Sequence, residues 1–193
     1  MHQAVRGMRD VLPADTWRWS HLERRLFQRL TSASYSEIRL PLMEFTELFA
    51  RGVGEATDIV EKEMYTLSDR DGISISLRPE GTASCVRALE EHGLLYNKTC
   101  RTFYSGPMFR YEKPQKGRYR QFYQMGVEAF GFEGPDIEAE LVLLITKYFE
   151  EIGLNQYLTL EINTLGSHED RGRYREALVS YLTPFYGELD EDS

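Results

Sequence analysis

The residues best suited to chemistry surround a basic loop, residues 113–118, that separates two β-like runs. Five Lys or Arg fall between positions 110 and 120, and Glu112 is the one acid among them. Because the whole chain carries a formal net charge of −8, this loop is a local positive region in an acidic protein. Arginine binds phosphate oxygens in a bidentate manner that lysine cannot reproduce. One interpretation of the loop is therefore a site for a ligand that carries phosphate.

Alternation along the second run would place several polar groups on one face. If residues 118–130 form one strand, its even positions share a face, because successive side chains of a strand point to opposite sides. In order, that face carries Arg118, Arg120, Phe122, Gln124, Gly126 and Glu128. An aromatic ring can stack on a base, and an amide and a carboxylate can accept hydrogen bonds. The face would then be a floor for a nucleotide and a small polar molecule, completed by Arg110 and Glu112 of the first run.

The alternative interpretation of the same residues is a solvated β-hairpin with a charged rim. The odd positions of the second run, among them Tyr123, Met125 and Val127, are more apolar than the even ones. A strand of an antiparallel sheet commonly buries its apolar face and exposes its polar one. The pattern alone therefore fits a structural hairpin as well as it fits a binding site.

Length and composition limit the class of protein. The chain has 193 residues, 41% of them hydrophobic, which suits one globular domain or one domain and a fragment. No run approaches the ~18 apolar residues of a membrane helix, and the N-terminus is too polar for a secretory signal, so we expect a cytoplasmic protein with no membrane partner. Neither the two cysteines nor the four histidines have metal-ligand spacing. The acidic balance argues against indiscriminate nucleic-acid coating and leaves room for RNA binding by a local patch.

Periodicity and turn residues predict the elements that would position these groups. Helices are expected over residues 15–34, 82–91, 136–152 and 168–182, and strands over 35–44, 64–67, 73–77 and 157–163, besides the hairpin. Asp15 is the expected N-cap of the first helix, and Pro41 is expected to confine its strand to a sheet edge or a strand end. The glycines at 52–54 lack a downstream Gly-Lys-Ser/Thr, which excludes a P-loop. The last residues, 187–193, are expected to fray.

Several strings resemble a known family. The run FRYE at 109–112 with the basic loop resembles motif 2 of the class II aminoacyl-tRNA synthetases, and the fuller string PMFRYEKPQKGRYRQFYQ resembles histidyl-tRNA synthetase in its bacterial form. Residues 6–13 resemble the family's opening RG-x-RD-x-LP signature, residues 35–44 resemble motif 1, and residues 78–82 resemble its RPEGT loop. The resemblance implies an α+β fold, an antiparallel β-sheet flanked by helices, of the class II catalytic-core type.

The resemblance also implies a role for each site residue. ATP would bind with Mg²⁺. Arg110, the implied catalytic residue, would contact its α-phosphate, and Arg118 would lie near its β- and γ-phosphates. Glu112 would lie near the adenine amino group, and Phe122 would stack on adenine. L-histidine would be bound by Glu80, Gly81, Thr82 and Gln124 around its ammonium group and by Glu128 facing its imidazole. The acceptor end of tRNA would contact Lys113, Gln115 and Lys116. No ligand for magnesium is assignable, and no Ser/His/Asp or Cys/His set is present to supply a nucleophile.

The implied reaction is the two-step charging of tRNA(His), through histidyl-adenylate, by a homodimer built on motif 1. The resemblance covers essentially all of residues 1–193 as the N-terminal portion of the catalytic domain, so motif 3 and the anticodon-binding domain are expected to be absent. A chain of this extent is expected to be weak or inactive alone. Two alternatives stay open: a synthetase-like regulatory subunit of the ATP phosphoribosyltransferase of histidine biosynthesis, and another class II ligase such as a prolyl or threonyl enzyme.

Overall fold

A computed structural model describes residues 2–53, 62–164 and 166–189 of the chain. Two compact units are present, Met1–Asn155 and Gln156–Ser193. All of the candidate site residues lie in the first unit. The glycine-rich region beyond residue 53 falls largely outside the described residues, as does the end of the acidic tail from residue 190.

The first unit combines four helices with two small sheets in its described part. The helices are α1 (Pro13–Ser32), α2 (Thr46–Val53), α3 (Thr82–Glu91) and α4 (Asp136–Glu151), and the strands are β1 (Ser36–Glu37), β2 (Met43–Phe45), β3 (Thr66–Ser68), β4 (Ser74–Leu77), β5 (Cys100–Phe109) and β6 (Gln121–Phe130). One sheet has the order β1-β5-β6 and the other β2-β4-β3. All pairings are antiparallel except that of β1 with β5. The α+β prediction is confirmed.

Strands β5 and β6 form the hairpin that the sequence predicts. They pair residue for residue, from Cys100 opposite Phe130 to Phe109 opposite Gln121. The second strand begins at Gln121, so the prediction of one strand over 118–130 is wrong at its start. A turn closed between Gln115 and Arg118 occupies the chain just before it. Arg118 and Arg120 therefore belong to the connection and not to the face of β6.

The odd positions of the hairpin carry the main core. A cluster of buried residues joins helices α1 and α4 to this face: Leu26, Leu30, Tyr35, Phe103 and Tyr148. Met125 and Val127 of β6 pack against that cluster, as their apolar character predicts. The ring of Phe103 meets that of Phe27 edge to face, with centroids 5.2 Å apart.

The even positions of the hairpin face helix α3. Cys85 and Leu89 of this helix pack with Tyr104 and Met108 of β5, and Phe122 lies against the same cluster. Burial raises the pKa of the Cys85 thiol to about 12, so the thiol stays protonated and acts as a packing residue. The hairpin is therefore covered by helices on both faces, and α3 delivers its first turn to the even face.

Several expected elements have different boundaries, among them the strand expected over 64–67, which is Thr66–Ser68. The strand over 35–44 is divided into β1 and β2, which join different sheets. Between them, the carbonyls of Leu40 and Pro41 accept hydrogen bonds from the Arg78 guanidinium, at 3.1 and 3.4 Å, and Pro41 has no N–H to donate to a ladder. Helix α1 begins at Pro13, which is favoured in a first turn. Asp15 therefore lies inside that turn, where it pairs with Arg18, and is not the N-cap.

The second unit consists mainly of helix α5, His168–Leu182, followed by a 3-10 helix over Thr183–Glu188. A capping box between Ser167 and Asp170 begins α5, so the side-chain hydrogen bonds of Ser167 hold the pKa of Asp170 below its usual range. The strand expected over 157–163 is wrong: the segment pairs with no described strand, and Ile162 is 84% exposed. No helix in the described part of the chain combines the length and apolar character needed to cross a membrane.

Candidate functional site

Four of the predicted site residues lie along one surface of the hairpin. Phe122, Gln124 and Glu128 are at even positions of β6, so they share a face. Arg110 lies just beyond the end of β5, and its guanidinium stands over the Phe122 ring, 5.2 Å from the centroid. This is the arrangement that the floor interpretation requires, and their roles toward a ligand stay predictions.

One end of this surface is a cluster of hydroxyl groups around a carboxylate. The Thr82 hydroxyl, in the first turn of α3, donates a hydrogen bond to Glu128 Oε1 at 2.7 Å. The phenol of Tyr104 donates to the same oxygen at 3.4 Å. Burial, with the nearby Glu128 and Glu80 carboxylates, raises the pKa of Tyr104 to about 12, so the phenol is a hydrogen-bond donor at neutral pH. The second oxygen of Glu128 accepts no bond from the described residues and is available to a ligand.

Glu80 lies beside this cluster and also caps helix α3. The backbone N–H groups of Thr82 and Ala83 donate to its two carboxylate oxygens. A carboxylate just before a helix is also stabilised by the positive end of the helix dipole, so this contact has a structural role of its own. Each carboxylate oxygen has a second lone pair, so the capping role leaves Glu80 able to accept from a cation.

Tyr104 is the residue of this surface that sequence reasoning missed. Its ring fills the space above two glycines: a Cβ at Gly126 would lie 2.1 Å from Tyr104 Cζ, and a Cβ at Gly81 would lie 2.2 Å from Tyr104 Cε2. Contacts below 3.0 Å would force a shift of the backbone or the ring. The space left by the missing side chain of Gly126 is therefore occupied by the Tyr104 ring. The two glycines were the available signal, but nothing in the sequence pairs them with this tyrosine.

Gln124 contributes a polar atom without a partner. Its side-chain oxygen Oε1 is buried and accepts no hydrogen bond from any described residue. A buried acceptor left unpaired costs about 1–3 kcal/mol, so most such groups in folded proteins find a donor. This oxygen therefore marks a place where a ligand's donor group would be stabilised.

The opposite end of the surface is built from the residues that flank the basic loop. Arg110 donates from Nε to the carbonyl of Pro79 at 2.9 Å, and its two terminal nitrogens donate to none of the residues described. Glu112 is buried and forms an ion pair with Arg118, whose side chain is half-exposed. The structure thus brings Arg118 to Glu112, on the loop and off the β6 face.

The residues expected to contact tRNA lie at the tip of the loop. Lys113, Gln115 and Lys116 are exposed. The tip is a tight turn in which Gly117 has a φ of +81°, a conformation that favours glycine. An exposed, positively charged tip is chemically suited to phosphate groups, and the contact with tRNA stays a prediction.

A buried arginine that the prediction did not single out holds this surface together. Arg78 is 3% exposed and donates from Nε to the Pro107 carbonyl at 2.9 Å as well as to the segment before β2. Burial lowers the pKa of Arg78, although Tyr104 and Glu44 nearby favour its charged form. A Cβ at Gly106 would lie 2.3 Å from its Nη2, so the glycine makes room for the guanidinium. Because Arg78 immediately precedes Pro79 and Glu80, it fixes the loop that carries them.

The described side chains form no cluster of protein ligands for a metal ion. Within residues 2–53, 62–164 and 166–189, no group of three or more His, Cys, Asp or Glu side chains is placed to hold a metal ion. A Mg²⁺ ion that binds with ATP would take most of its ligands from phosphate and water, and the described residues offer no dedicated protein cage for it.

Comparison with known proteins gives a consistent result. The family model described as Histidyl-tRNA synthetase matches residues 7–166. The apo histidyl-tRNA synthetase of S. aureus is similar over 100% of this chain and 45% of its own, with 40% sequence identity and a TM-score of 0.76. The chain thus spans less than half the length of that relative.

Two more distant structures share the fold. One is an ATP phosphoribosyltransferase regulatory subunit/histidyl-tRNA synthetase from Bacillus halodurans, with 23% identity, a TM-score of 0.68, and coverage of 79% of this chain and 38% of that one. The other is a histidyl-tRNA synthetase from Nostoc sp., with 19% identity, a TM-score of 0.64, and coverage of 77% and 34%. With the family match and the S. aureus similarity, the resemblance of the motifs is confirmed: the chain belongs to the histidyl-tRNA synthetase family.

Proposed function

We propose that this chain carries the ATP- and histidine-binding surface of a histidine–tRNA ligase. In the first step the histidine carboxylate attacks the α-phosphorus of ATP, the bond to the β-phosphate oxygen breaks, and histidyl-adenylate and pyrophosphate form. In the second step the 3′-hydroxyl of the tRNA(His) terminal ribose attacks the activated carbonyl and releases AMP. The observation that carries the proposal is the common surface on which Arg110 and Phe122 adjoin the cluster of Gln124, Thr82 and Glu128.

At the nucleotide end, Arg110 is suited to charge that develops at phosphorus. Its Nε–H bond to the Pro79 carbonyl fixes the plane of the guanidinium, and its terminal N–H groups stay available to phosphate oxygens. Donors that are already oriented stabilise a transition state without reorganisation at the moment of reaction. Phe122, beneath that guanidinium, offers the face on which adenine would stack.

At the amino-acid end, acceptors surround the proposed ammonium position. The unpartnered Oε1 of Gln124, the Glu80 carboxylate and the Thr82 hydroxyl oxygen would each accept from the ammonium group. The free oxygen of Glu128 would accept from an imidazole N–H, and the Thr82 and Tyr104 hydroxyls fix the orientation of that carboxylate. A site built to hydrogen-bond a substrate can reject analogues that lack the group by about 10⁴-fold.

No protein nucleophile takes part in this proposal. Catalysis consists of holding the carboxylate of histidine and the α-phosphorus of ATP in line, and of neutralising charge there. The exposed basic tip of the loop, with Lys113 and Lys116, is the proposed contact for the acceptor end of tRNA. The proposed assembly is a homodimer through residues 35–44, on family grounds.

A second candidate is a regulatory subunit of an ATP phosphoribosyltransferase. The Bacillus halodurans structure, whose name includes that role, shares the fold. Such a protein would bind its partner enzyme and would not need an assembled site for ATP and histidine. The joint presence of Glu80, Arg110, Gln124 and Glu128 around one surface favours the ligase.

Isothermal titration of the purified chain with L-histidine tests the proposal. We expect saturable binding that Glu128→Gln weakens about 10- to 100-fold, the range for a hydrogen bond to a charged group. Glu138→Gln, at an exposed position of α4, is the matched control and should leave binding unchanged. Proline and threonine should not compete.

Absence of histidine binding to a folded chain would contradict the proposal that this portion carries the histidine-binding surface. Copurification with a phosphoribosyltransferase, combined with that absence, would favour the regulatory subunit. Competition by proline or threonine would instead favour a different class II ligase.

A further inference from the structure

The N-terminal arm, residues 5–9, contacts the base of the loop between β5 and β6. The arm makes a turn in which the Met8 N–H donates to the Val5 carbonyl at 2.9 Å. Gly7 within this turn has a φ of +84°, as the third residue of a type II turn requires. The Gly7 carbonyl then accepts from the N–H groups of Arg120 and Gln121, at 2.8 and 3.3 Å. The arm therefore takes up two backbone donors where the loop meets β6.

Both the φ of residue 7 and its close approach to Arg120 require glycine at this position. A Cβ at Gly7 would lie 2.8 Å from Cγ of Arg120. The arm can approach the loop this closely only because residue 7 has no side chain. The contact is thus a specific fit between the arm and the stem of Arg120.

Arg120 is the residue through which this contact reaches the loop. Its carbonyl accepts from the Arg110 N–H at 3.0 Å, which closes the base of the loop. Its Nε donates to the Glu112 carbonyl at 3.1 Å, and its guanidinium stands 3.9 Å above the ring of Tyr111. Arg120 therefore joins the arm on one side to Arg110 and Glu112 on the other.

A second contact lies beside the first. The guanidinium of Arg9 stands over the ring of Tyr119, 4.7 Å from its centroid, and Nη1 donates to the Tyr119 hydroxyl at 3.2 Å. Arg6, three residues away on the same arm, is exposed and forms no hydrogen bond, ion pair or ring contact with described residues. The arm thus provides one arginine that contacts the loop and one that does not.

We propose that the arm is a positioning element for the loop over residues 110–120, with Gly7 and Arg9 as its positioning residues. By fixing Arg120 and Tyr119, the arm holds the backbone that presents Arg110 and Glu112 to the nucleotide end of the surface. Neither residue touches the proposed ligands. The role in nucleotide binding rests on the proposed function, whereas the hold on the loop does not.

The matched pair Arg9→Ala and Arg6→Ala tests the proposal, because both remove one arginine from the same arm. Amide hydrogen exchange, followed by NMR in the full chain, measures the loop directly at Arg120 and Gln121. We expect Arg9→Ala to speed exchange there about two- to fivefold, the factor that corresponds to an exposed cation–π contact, and Arg6→Ala to leave it unchanged. Deletion of residues 2–9 removes the Gly7 acceptor as well and should have the larger effect.

Ligand binding separates positioning from general destabilisation. Arg9→Ala should weaken ATP binding by a similar factor and leave histidine binding unchanged, because the arm contacts Tyr119, Arg120 and Gln121 and none of the residues proposed to bind histidine. Equal exchange rates in the Arg9→Ala, Arg6→Ala and deletion variants would overturn the proposal, whatever the ligand-binding results are.

If the parent chain binds no ATP, the proposed function fails and the exchange rates still decide whether the arm holds the loop. If it binds ATP and Arg9→Ala weakens ATP and histidine alike, the arm is a general stabiliser and the positioning role is wrong.

Discussion

The two faces of the β5–β6 hairpin differ in how the space above them is filled. On the odd face, Phe103, Met125 and Val127 fill the space beneath α1 and α4, and shape decides what fits. On the even face, the strands carry Gly106 and Gly126, and the space above them is filled by the side chains of Arg78 and Tyr104. The odd face is filled by apolar side chains of the strands, whereas glycines on the even face leave room for the Tyr104 ring of β5 and for Arg78, which comes from outside the hairpin.

The difference explains why polar chemistry concentrates on one side only. The odd face needs no special residue beyond apolar side chains of suitable volume. The even face assembles Thr82, Tyr104 and Glu128 from three different elements, and it leaves a buried oxygen of Gln124 unpartnered. Stability and ligand binding should therefore respond differently to substitutions on the two faces.

The largest loss of stability is expected from a substitution on the odd face. Phe103→Ala removes a buried ring that contacts Phe27 and should lower the free energy of unfolding by about 3–5 kcal/mol. Phe45→Ala, at a position 62% exposed, is the control and should change it by less than about 0.5 kcal/mol. Urea denaturation measures both. Similar losses for the two variants would mean that this face is not the core.

A smaller loss, joined to a loss of binding, is expected on the even face. Gly126→Ala drives a methyl group into the Tyr104 ring and should cost about 1–3 kcal/mol, as overpacking does. Histidine affinity should fall because the displaced ring no longer orients Glu128. The added substitution Tyr104→Leu should recover stability but not affinity. Gly172→Ala, in α5 with no atom near the added methyl, is the control and should be neutral or stabilising. Additive effects at 104 and 126 would contradict the fit between ring and glycine.

A substitution at Gln124 is expected to raise the free energy of unfolding and not to lower it. Gln124→Met replaces the buried amide by an apolar side chain of similar length, and removal of an unpaired acceptor should raise the free energy of unfolding by about 1 kcal/mol or more. The same change should weaken histidine binding because the ammonium group loses an acceptor. Thermal unfolding and calorimetric titration measure the two quantities. A variant that is less stable yet binds normally would show that Gln124 has a structural role and no ligand.

The smallest change in stability is expected in the hydrogen-bonded group of Arg101, Tyr35 and Glu140, at the margin of the odd face. Hydrogen bonds from Arg101 and Tyr35 hold the pKa of Glu140 below its ordinary value of 4.5. A carboxyl group with a lowered pKa stabilises the fold above its unfolded pKa, and this contribution is lost as pH falls through the folded pKa. Glu140→Gln should therefore slightly lower the Tm at pH 7 and reduce the difference in Tm between pH 7 and pH 3. The effect is small because the pair is about one-third exposed.

The control for this pH dependence is Glu133→Gln, at an exposed position before α4. It should leave both Tm values near those of the parent chain. An identical pH response in the Glu133 and Glu140 variants would remove Glu140 from the explanation.

Local patterns were sufficient for much of the fold. Helix α3 occupies the predicted residues, and the division of the hairpin into a packed face and a polar face follows from alternation. The common surface of Arg110, Phe122, Gln124 and Glu128 followed from the same alternation. These features depend on neighbours within one element or across one hairpin, which lie close together in the sequence.

Features that depend on distant contacts were not predictable. Arg118 does not lie on the predicted face, because a turn and an ion pair with Glu112 fix it on the loop. The break between β1 and β2 depends on a guanidinium that arrives from residue 78. The segment 157–163 alternates as a strand should, but pairing with a neighbour, not alternation, makes a strand. In each case the deciding partner lies elsewhere in the chain.

The ring of Tyr104 has a consequence for redesign. It stands between two glycines and touches the carboxylate proposed to read the imidazole. Shortening this one side chain would open a hole the size of a phenol beside Glu128 while leaving every charged group in place. A histidine analogue bearing a matching substituent on its ring would fill that hole, so the same tyrosine that limits the pocket also marks where an orthogonal amino acid could be admitted.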